Sequence, residues 1–252
     1  MLASVLAVTG CSLFPDKADE TEGWSANRLY TEAKDALTGK DYEKAIRYFE
    51  ILQGRYPFGR YAQQAYLDMA YAYYKFQEPD SAIATLDRFI RTYPRHPFVD
   101  YAYYLKGRVN FDRTTGLLDR LFPRDYTKTD RGAALLSFQD FATLVEQFPE
   151  SKYSDDARKR MAFLRNNLAE YEVHVADYYL RRGAYVAAAG RGRYVLENYA
   201  TAPAVESAIA IMAQAYINLD MLGLAKDSIR VLRLNYPESS FLPGLDQSLA
   251  GV

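Results

Sequence analysis

The residues able to do chemistry in this chain are few and scattered. Its 252 residues include two histidines, His96 and His174, and one cysteine, Cys11. A metal centre needs several His, Cys or carboxylate ligands at structured spacing, and these residues supply no such set. His96 stands in the turn Pro94-Arg95-His96-Pro97 and reads as a solvated loop residue. His174 falls on a long helix and reads as a surface or packing residue rather than a base. No glycine-rich phosphate loop occurs. Asp155-Asp156 reads as the acidic first turn of a helix, favoured by the helix dipole, and not as an acid–base pair. No catalytic residue, metal or cofactor is therefore expected. Two chemical features remain. The Cys11 thiol is a good acyl acceptor. Tyrosine is abundant, at 23 against 13 Phe and 1 Trp, and its apolar ring and polar tip suit half-buried positions and binding surfaces.

The net charge of -1 lacks the basic excess of a polyanion binder, so no nucleic acid is expected as partner. Beyond the N-terminus no apolar run approaches the ~18–20 residues that span a bilayer. The chain opens with an apolar stretch, Leu2 to Val8, and continues Val8-Thr9-Gly10-Cys11. This resembles the lipobox of a bacterial lipoprotein signal. The resemblance implies removal of residues 1–10 and acylation of Cys11, whose several acyl chains would hold the protein on a membrane. The run is short and no Lys or Arg precedes it, as expected of a signal that starts upstream of Met1. The competing reading is a lone cysteine in a disordered tail. Ser12, in place of Asp, resembles the outer-membrane sorting pattern. Residues 11–24 read as a lipidated flexible tether, polar and acidic after the Cys.

Positioning falls to helices. Ala62, Ala65, Tyr66, Met69, Ala70 and Tyr73 recur at helical spacing, as do Ala82, Ile83, Leu86, Phe89, Ile90 and Tyr93. Comparing the chain with itself exposes a repeat. Five segments end in Tyr56-Pro57, Tyr93-Pro94, Phe148-Pro149, Tyr199-Ala200 and Tyr236-Pro237. Small residues mark each first helix (Ala33, Ala70, Gly107, Ala176, Ala213) and each second helix (Ala45, Ala82, Ser137, Ala188, Ala225). The intervals from 33 to 70, 70 to 107 and 176 to 213 are each 37 residues. Paired antiparallel helices approach closely only where side chains are small, and a bulky residue there overpacks by roughly 1–3 kcal/mol. Gly39 and Gly183 sit where the turn between helices needs a permissive backbone, and Pro stops each second helix. This is the tetratricopeptide pattern.

The expected fold is all-α, a right-handed superhelical solenoid of five helix pairs. Residues 25–150 hold repeats 1–3, residues 151–240 repeats 4–5, and 241–252 a tail. In repeat 3 the small positions lie thirty apart rather than twelve, so about eighteen residues are inserted near 114–131. They carry Leu117, Leu118, Leu121 and Phe122, which either fold back on repeat 3 or offer a partner an apolar patch. No Gly or Pro lies between Ser151 and Arg182, which predicts one long helix. The tail shows no clear capping helix, so either the tail or a partner covers the last repeat.

The stretches Arg55-Tyr56-Pro57-Phe58-Gly59, Asp68 through Lys75, and Asp87-Arg88-Phe89-Ile90-Arg91, with the insertion and the lipobox, resemble the BamD family of outer-membrane-protein assembly lipoproteins. The resemblance covers essentially the whole mature chain. It implies a non-catalytic scaffold in the BAM complex, lipid-anchored to the outer membrane on its periplasmic face. The implied partners are the POTRA domain of the barrel protein BamA, other BAM lipoproteins and unfolded outer-membrane barrel proteins. On the repeat frame, Tyr30 and Lys34, then Leu67, Tyr71 and Tyr74, then Tyr101, Tyr104, Arg108 and Phe111 point outward from first helices. They suit an extended peptide with aromatic side chains and a free carboxylate. The competing reading is that these tyrosines pack repeat against repeat. Gly190-Arg191-Gly192-Arg193 places two glycines inside a helix, at roughly 1 kcal/mol each, which suggests close backbone approach by a neighbour. By the family pattern Arg191, with Arg193 beside it, matches the basic residue that docks on BamA; otherwise it lies on a solvated charged face. Two alternatives stand outside the family: another periplasmic tetratricopeptide adaptor serving cell division or envelope maintenance, and a glycan-processing enzyme on a helical-repeat body.

Overall fold

The computed structural model describes residues 19–114 and 131–252. Cys11, the signal stretch and Leu117 to Phe122 of the insertion lie outside the described residues. Those described form helices and no strand. They pair as α1 (Ala26–Thr38) with α2 (Tyr42–Arg55), α3 (Arg60–Lys75) with α4 (Pro79–Thr92), α5 (Val99–Thr114) with α6 (Arg131–Gln147), α7 (Ser154–Arg181) with α8 (Tyr185–Asn198) and α9 (Val205–Asn218) with α10 (Leu222–Asn235); α11 (Leu242–Ala250) follows. The described residues fall into two compact units divided within α3, one up to Met69 and one from Ala70.

Local chemistry sets these boundaries. Ser25 caps α1 by accepting from the Arg28 amide, and Asp41 caps α2 by accepting from Lys44. Every second helix ends the same way. The amides of Tyr56, Tyr93, Phe148, Tyr199 and Tyr236 donate to Leu52, Phe89, Leu144, Val195 and Leu232 at 2.7–2.8 Å. The chain then leaves the helix, as a residue before proline must. Tyr199, followed by alanine, does so too. In four turns within pairs one residue takes the left-handed conformation: Lys40, Gln77, Gly183 and Asp220, at φ 65°, 65°, 75° and 58°. Gly39, expected there, is right-handed at φ -72°. The permissive position is one residue later, and only the fourth repeat fills it with glycine.

The first unit contains α1, α2 and the part of α3 up to Met69. Ala33 and Ala45 are fully buried, with Leu29, Phe49 and Leu52 filling the core beside them. Its described chain begins before α1. Asp19 to Trp24 form a turn clasped on α2: Arg55 pairs with Asp19 and donates to the Thr21 carbonyl, Glu20 receives Arg47 and the Tyr48 hydroxyl, and Thr21 is buried. Residues 19–24 are thus part of the folded unit, against the expectation of a tether running to residue 24.

In the second unit the core runs from Ala134, Phe141 and Leu144 through Leu164 and Leu168 to Ile209, Ala213, Ile229, Leu232 and Leu245. The thirty-residue gap in repeat 3 closes as predicted. The Ser137 hydroxyl donates to the Gly107 carbonyl at 2.9 Å, and a Cβ on Gly107 would meet the Phe141 ring at 2.6 Å. The long helix α7 has 28 residues. The tail is a correction: α11 is a capping helix, packed on α9 and α10 with Leu242 and Leu245 buried.

Candidate functional site

On the first unit, Tyr30 donates to Asp68 at 2.8 Å and Lys34 pairs with the other oxygen of that carboxylate at 3.0 Å. Burial, with Asp68 beside it, pushes the Tyr30 phenol well above its ordinary pKa. Tyr30 also tilts against Tyr61 and Phe49. Leu67 corrects the outward assignment, for it is 1% exposed. Helix α3 is buried around most of its circumference, with Ala65, Tyr66, Leu67, Met69, Ala70 and Ala72 all inside. One stripe of that helix, through Arg60, Gln64, Asp68, Tyr71 and Lys75, keeps access to solvent, and Leu67 at its edge is buried.

On the second unit the same device recurs. Tyr74 donates to Asp112 of α5, and burial followed by that hydrogen bond pushes its phenol up to about 12. Tyr104 donates to Asp156 of α7 at 2.8 Å and stacks on Tyr153 at 4.7 Å. Arg160 also pairs with Asp156 at 2.6 Å; burial raises that carboxylate's pKa, but the hydrogen bonds from Arg160 and Tyr104 outweigh it and hold the pKa low. Three first helices therefore each send a tyrosine hydroxyl to an aspartate on the first helix of the following repeat. The reading in which tyrosines pack repeat against repeat holds for these three. Arg108 donates to the Tyr104 hydroxyl and lies 3.8 Å from Asp112. Tyr101 tilts against Tyr153, Phe111 lies against Phe163, and Arg160 covers the Phe111 ring at 4.7 Å. Tyr71 is the more open of the set, 36% exposed beside Tyr74. The hydroxyls of Tyr30, Tyr74 and Tyr104 are thus occupied, and half-exposed ring faces remain.

Sequence reasoning missed a buried ion cluster on the fourth repeat. Glu172 of α7 is 0% exposed. Arg191 of α8 donates to one of its oxygens at 2.9 Å, and Arg131 at the start of α6 stands 2.7 Å from the other. The Arg131 contact has ion-pair distance but not hydrogen-bond angles, so its charge counts and no hydrogen bond does. Two cations thus share one carboxylate, and both keep 36–40% of their side-chain surface exposed. Arg193 is 67% exposed and has only a loose contact with Glu197. The two glycines differ. A Cβ on Gly192 would meet Met212 at 2.5 Å and the Ala208 carbonyl at 2.9 Å, whereas one on Gly190 meets nothing within 4 Å. Close approach explains Gly192 and not Gly190.

A second network went unseen. Lys106 of α5 sits between Asp87 of α4 at 2.9 Å and Asp140 of α6 at 3.1 Å, and Asn110 donates to Asp140. Burial raises the Asp140 pKa despite Lys106. Neither network has a local motif, because each joins residues of different helices at least 19 positions apart.

The family model described as "YfiO: Outer membrane lipoprotein" matches residues 23–232. The chain belongs to this family. Among curated relatives, the outer membrane protein assembly factor BamD of Neisseria meningitidis serogroup B is 45% identical over 94% of this chain and 90% of its own length. The BamD of Xylella fastidiosa strain Temecula1 is 38% identical over 97% of this chain and 83% of its own. That of Vibrio cholerae is 34% identical over 93% and 97%.

Within this YfiO-family chain the histidines divide. His174 is exposed near Glu170, as expected. His96 corrects the solvated-loop reading: its ring meets Phe89 edge-on at 5.1 Å, its Nδ1 accepts from the Phe98 amide, and burial lowers its pKa. It lines a cleft of about 430 Å³ with Asp100, Phe148 and Ser151. Among the described residues no helix is long and apolar enough to cross a membrane.

Proposed function

We propose that this chain is a scaffold lipoprotein of the outer-membrane β-barrel assembly machinery, acting by holding proteins rather than by catalysis. The observation that carries the reading is near-full-length similarity, at 34–45% identity, to proteins named as outer membrane protein assembly factors. The body of paired helices suits that role, since polar rungs from tyrosine to aspartate join successive first helices. In this reading Cys11 carries the lipid anchor and the protein works at the periplasmic face of the outer membrane.

Docking on a POTRA domain of BamA is assigned to the α8 surface around Arg191 and Arg193. Two arginines against one buried carboxylate leave a net positive charge there, which an acidic partner side chain can meet bidentately. Substrate contact is assigned to the first-helix faces: Tyr30 and Lys34 on one unit, Tyr71, Tyr74, Tyr101, Tyr104, Arg108 and Phe111 on the other. Barrel segments rich in aromatics would lie on the tyrosine rings. Lys34 and Arg108 already have carboxylate partners, so a peptide carboxylate must compete with Asp68 or Asp112.

A mild-detergent pull-down of the acylated protein from envelopes tests the reading. A large barrel protein with POTRA domains should co-purify, and an Arg191→Glu variant that folds normally should lose most of it. Recovery of cell-division proteins instead would favour the adaptor reading. For the substrate face, a barrel-derived C-terminal peptide should bind the Tyr71→Ala/Tyr104→Ala double variant severalfold more weakly.

A further inference from the structure

The turn between α2 and α3 carries the most exposed large apolar side chain among the described residues, Phe58, at 87%. Residues 54–60 are all exposed, so Tyr56, Pro57, Phe58 and Arg60 stand together at one end of the first unit. Gly59 holds φ +99°, a conformation other residues rarely adopt, and presents the tip without occupying it. The same end is where the N-terminal chain leaves the fold. Arg55, three residues before Phe58, grips Asp19 and the Thr21 carbonyl, and the Tyr56 hydroxyl donates to the Trp24 carbonyl at 2.9 Å.

We infer that this turn is a membrane-contacting tip, with Phe58 entering the lipid interface and Arg60 at the headgroup level. The inference rests on acylation of Cys11. Only residues 12–18 then separate the lipid from Asp19. Fully extended, seven residues reach roughly 25 Å, so the clasp keeps the root of the fold within that distance of the bilayer. A tether rooted beside an exposed aromatic–cationic tip holds that tip at high local concentration over the surface. Aromatic rings favour the interface, and arginine lays its stem along apolar surface with its charge among headgroups. The clasp also pairs two of its three acidic groups, Asp19 with Arg55 and Glu20 with Arg47, leaving Glu22 exposed. The two paired carboxylates therefore do little to repel an anionic surface. The occupant is a lipid surface rather than a protein because the length and root of the chain bring lipid here whatever else is bound.

The test uses the full acylated chain in vesicles of phosphatidylethanolamine and phosphatidylglycerol, with lipids brominated on their acyl chains. Phe58→Trp supplies a probe, read after subtracting the emission of the unsubstituted chain with its single Trp24. Glu43→Trp, in the first turn of α2 and about 20 Å away along that helix, is the comparison. The expected result is a blue-shifted emission, quenched severalfold more by brominated lipid for Phe58→Trp than for Glu43→Trp. Flotation is measured in the same samples. A chain that floats with an unquenched Phe58→Trp probe overturns the inference alone. Equal quenching at both sites, or a shift seen only after adding detergent-extracted barrel protein, overturns it too. A chain that fails to float overturns both this inference and the lipid anchor.

Discussion

Glu172 is a fully buried carboxylate whose two oxygens face guanidiniums from helices on either side. Removing one partner of a buried ion pair is costly because the survivors stay unpaired; the usual range is about 3–5 kcal/mol. Here both arginines keep solvent on a third or more of their surface, so Glu172→Gln should cost near about 3 kcal/mol, read as a lower denaturant midpoint at unchanged slope. Arg193→Ala, fully on the surface, should change stability by under about 0.5 kcal/mol. His96 gives a pH test. Burial against Phe89 lowers its pKa below the ordinary 6.5, so the unfolded chain binds the proton more tightly. Its contribution is complete above pH 6.5 and is lost as pH falls through the lower native value. Unfolding free energy should therefore drop across that window, and His96→Gln should flatten the slope there.

At the scale of helices, the two glycines of α8 make opposite predictions from the same sequence motif. Gly190→Ala adds a methyl to open space inside a helix and should stabilise by about 0.5–1 kcal/mol. Gly192→Ala drives a methyl against the Ala208 carbonyl and Met212, and should destabilise by roughly 1–3 kcal/mol. Thermal melts of the two variants side by side decide the matter. The pairing of helices was legible because a small residue at a crossing and an aromatic before proline are local necessities. Gly107 and Ser137 were matched across thirty positions on that ground alone. Much of the surface was not legible. The repeat frame gives a direction for each side chain but not what lies there, so Leu67 was placed outward although it lies buried at the edge of the open stripe of α3. The hydroxyl partners of Tyr30, Tyr74 and Tyr104 are 38, 38 and 52 residues away, beyond any local pattern. Helix α11 was not read from the sequence, yet its Pro243 stands in the first turn, where proline fits a helix without loss, and the tail rather than a partner covers the last repeat.

Over the whole molecule, helix α11 covers apolar surface of α9 and α10, so a chain cut after Ser240 exposes Ile229 and Leu232 neighbours that Leu242 and Leu245 now shield. It should unfold at a lower temperature and bind a hydrophobic dye. The third repeat has a different consequence. Its two helices are joined at the Gly107–Ser137 hydrogen bond and by Phe141 over the glycine, all contributed by residues outside 115–130. The crossing thus has fixings of its own outside the inserted stretch. Because loop-closure free energy changes by only about 0.6 kcal/mol per doubling of length, the slot can accept shorter or longer guests at small thermodynamic cost. Exchanging residues 117–128 for a short Gly/Ser segment should leave the melting curve nearly unchanged, and any defect in assembly that followed would belong to the guest and not to its host.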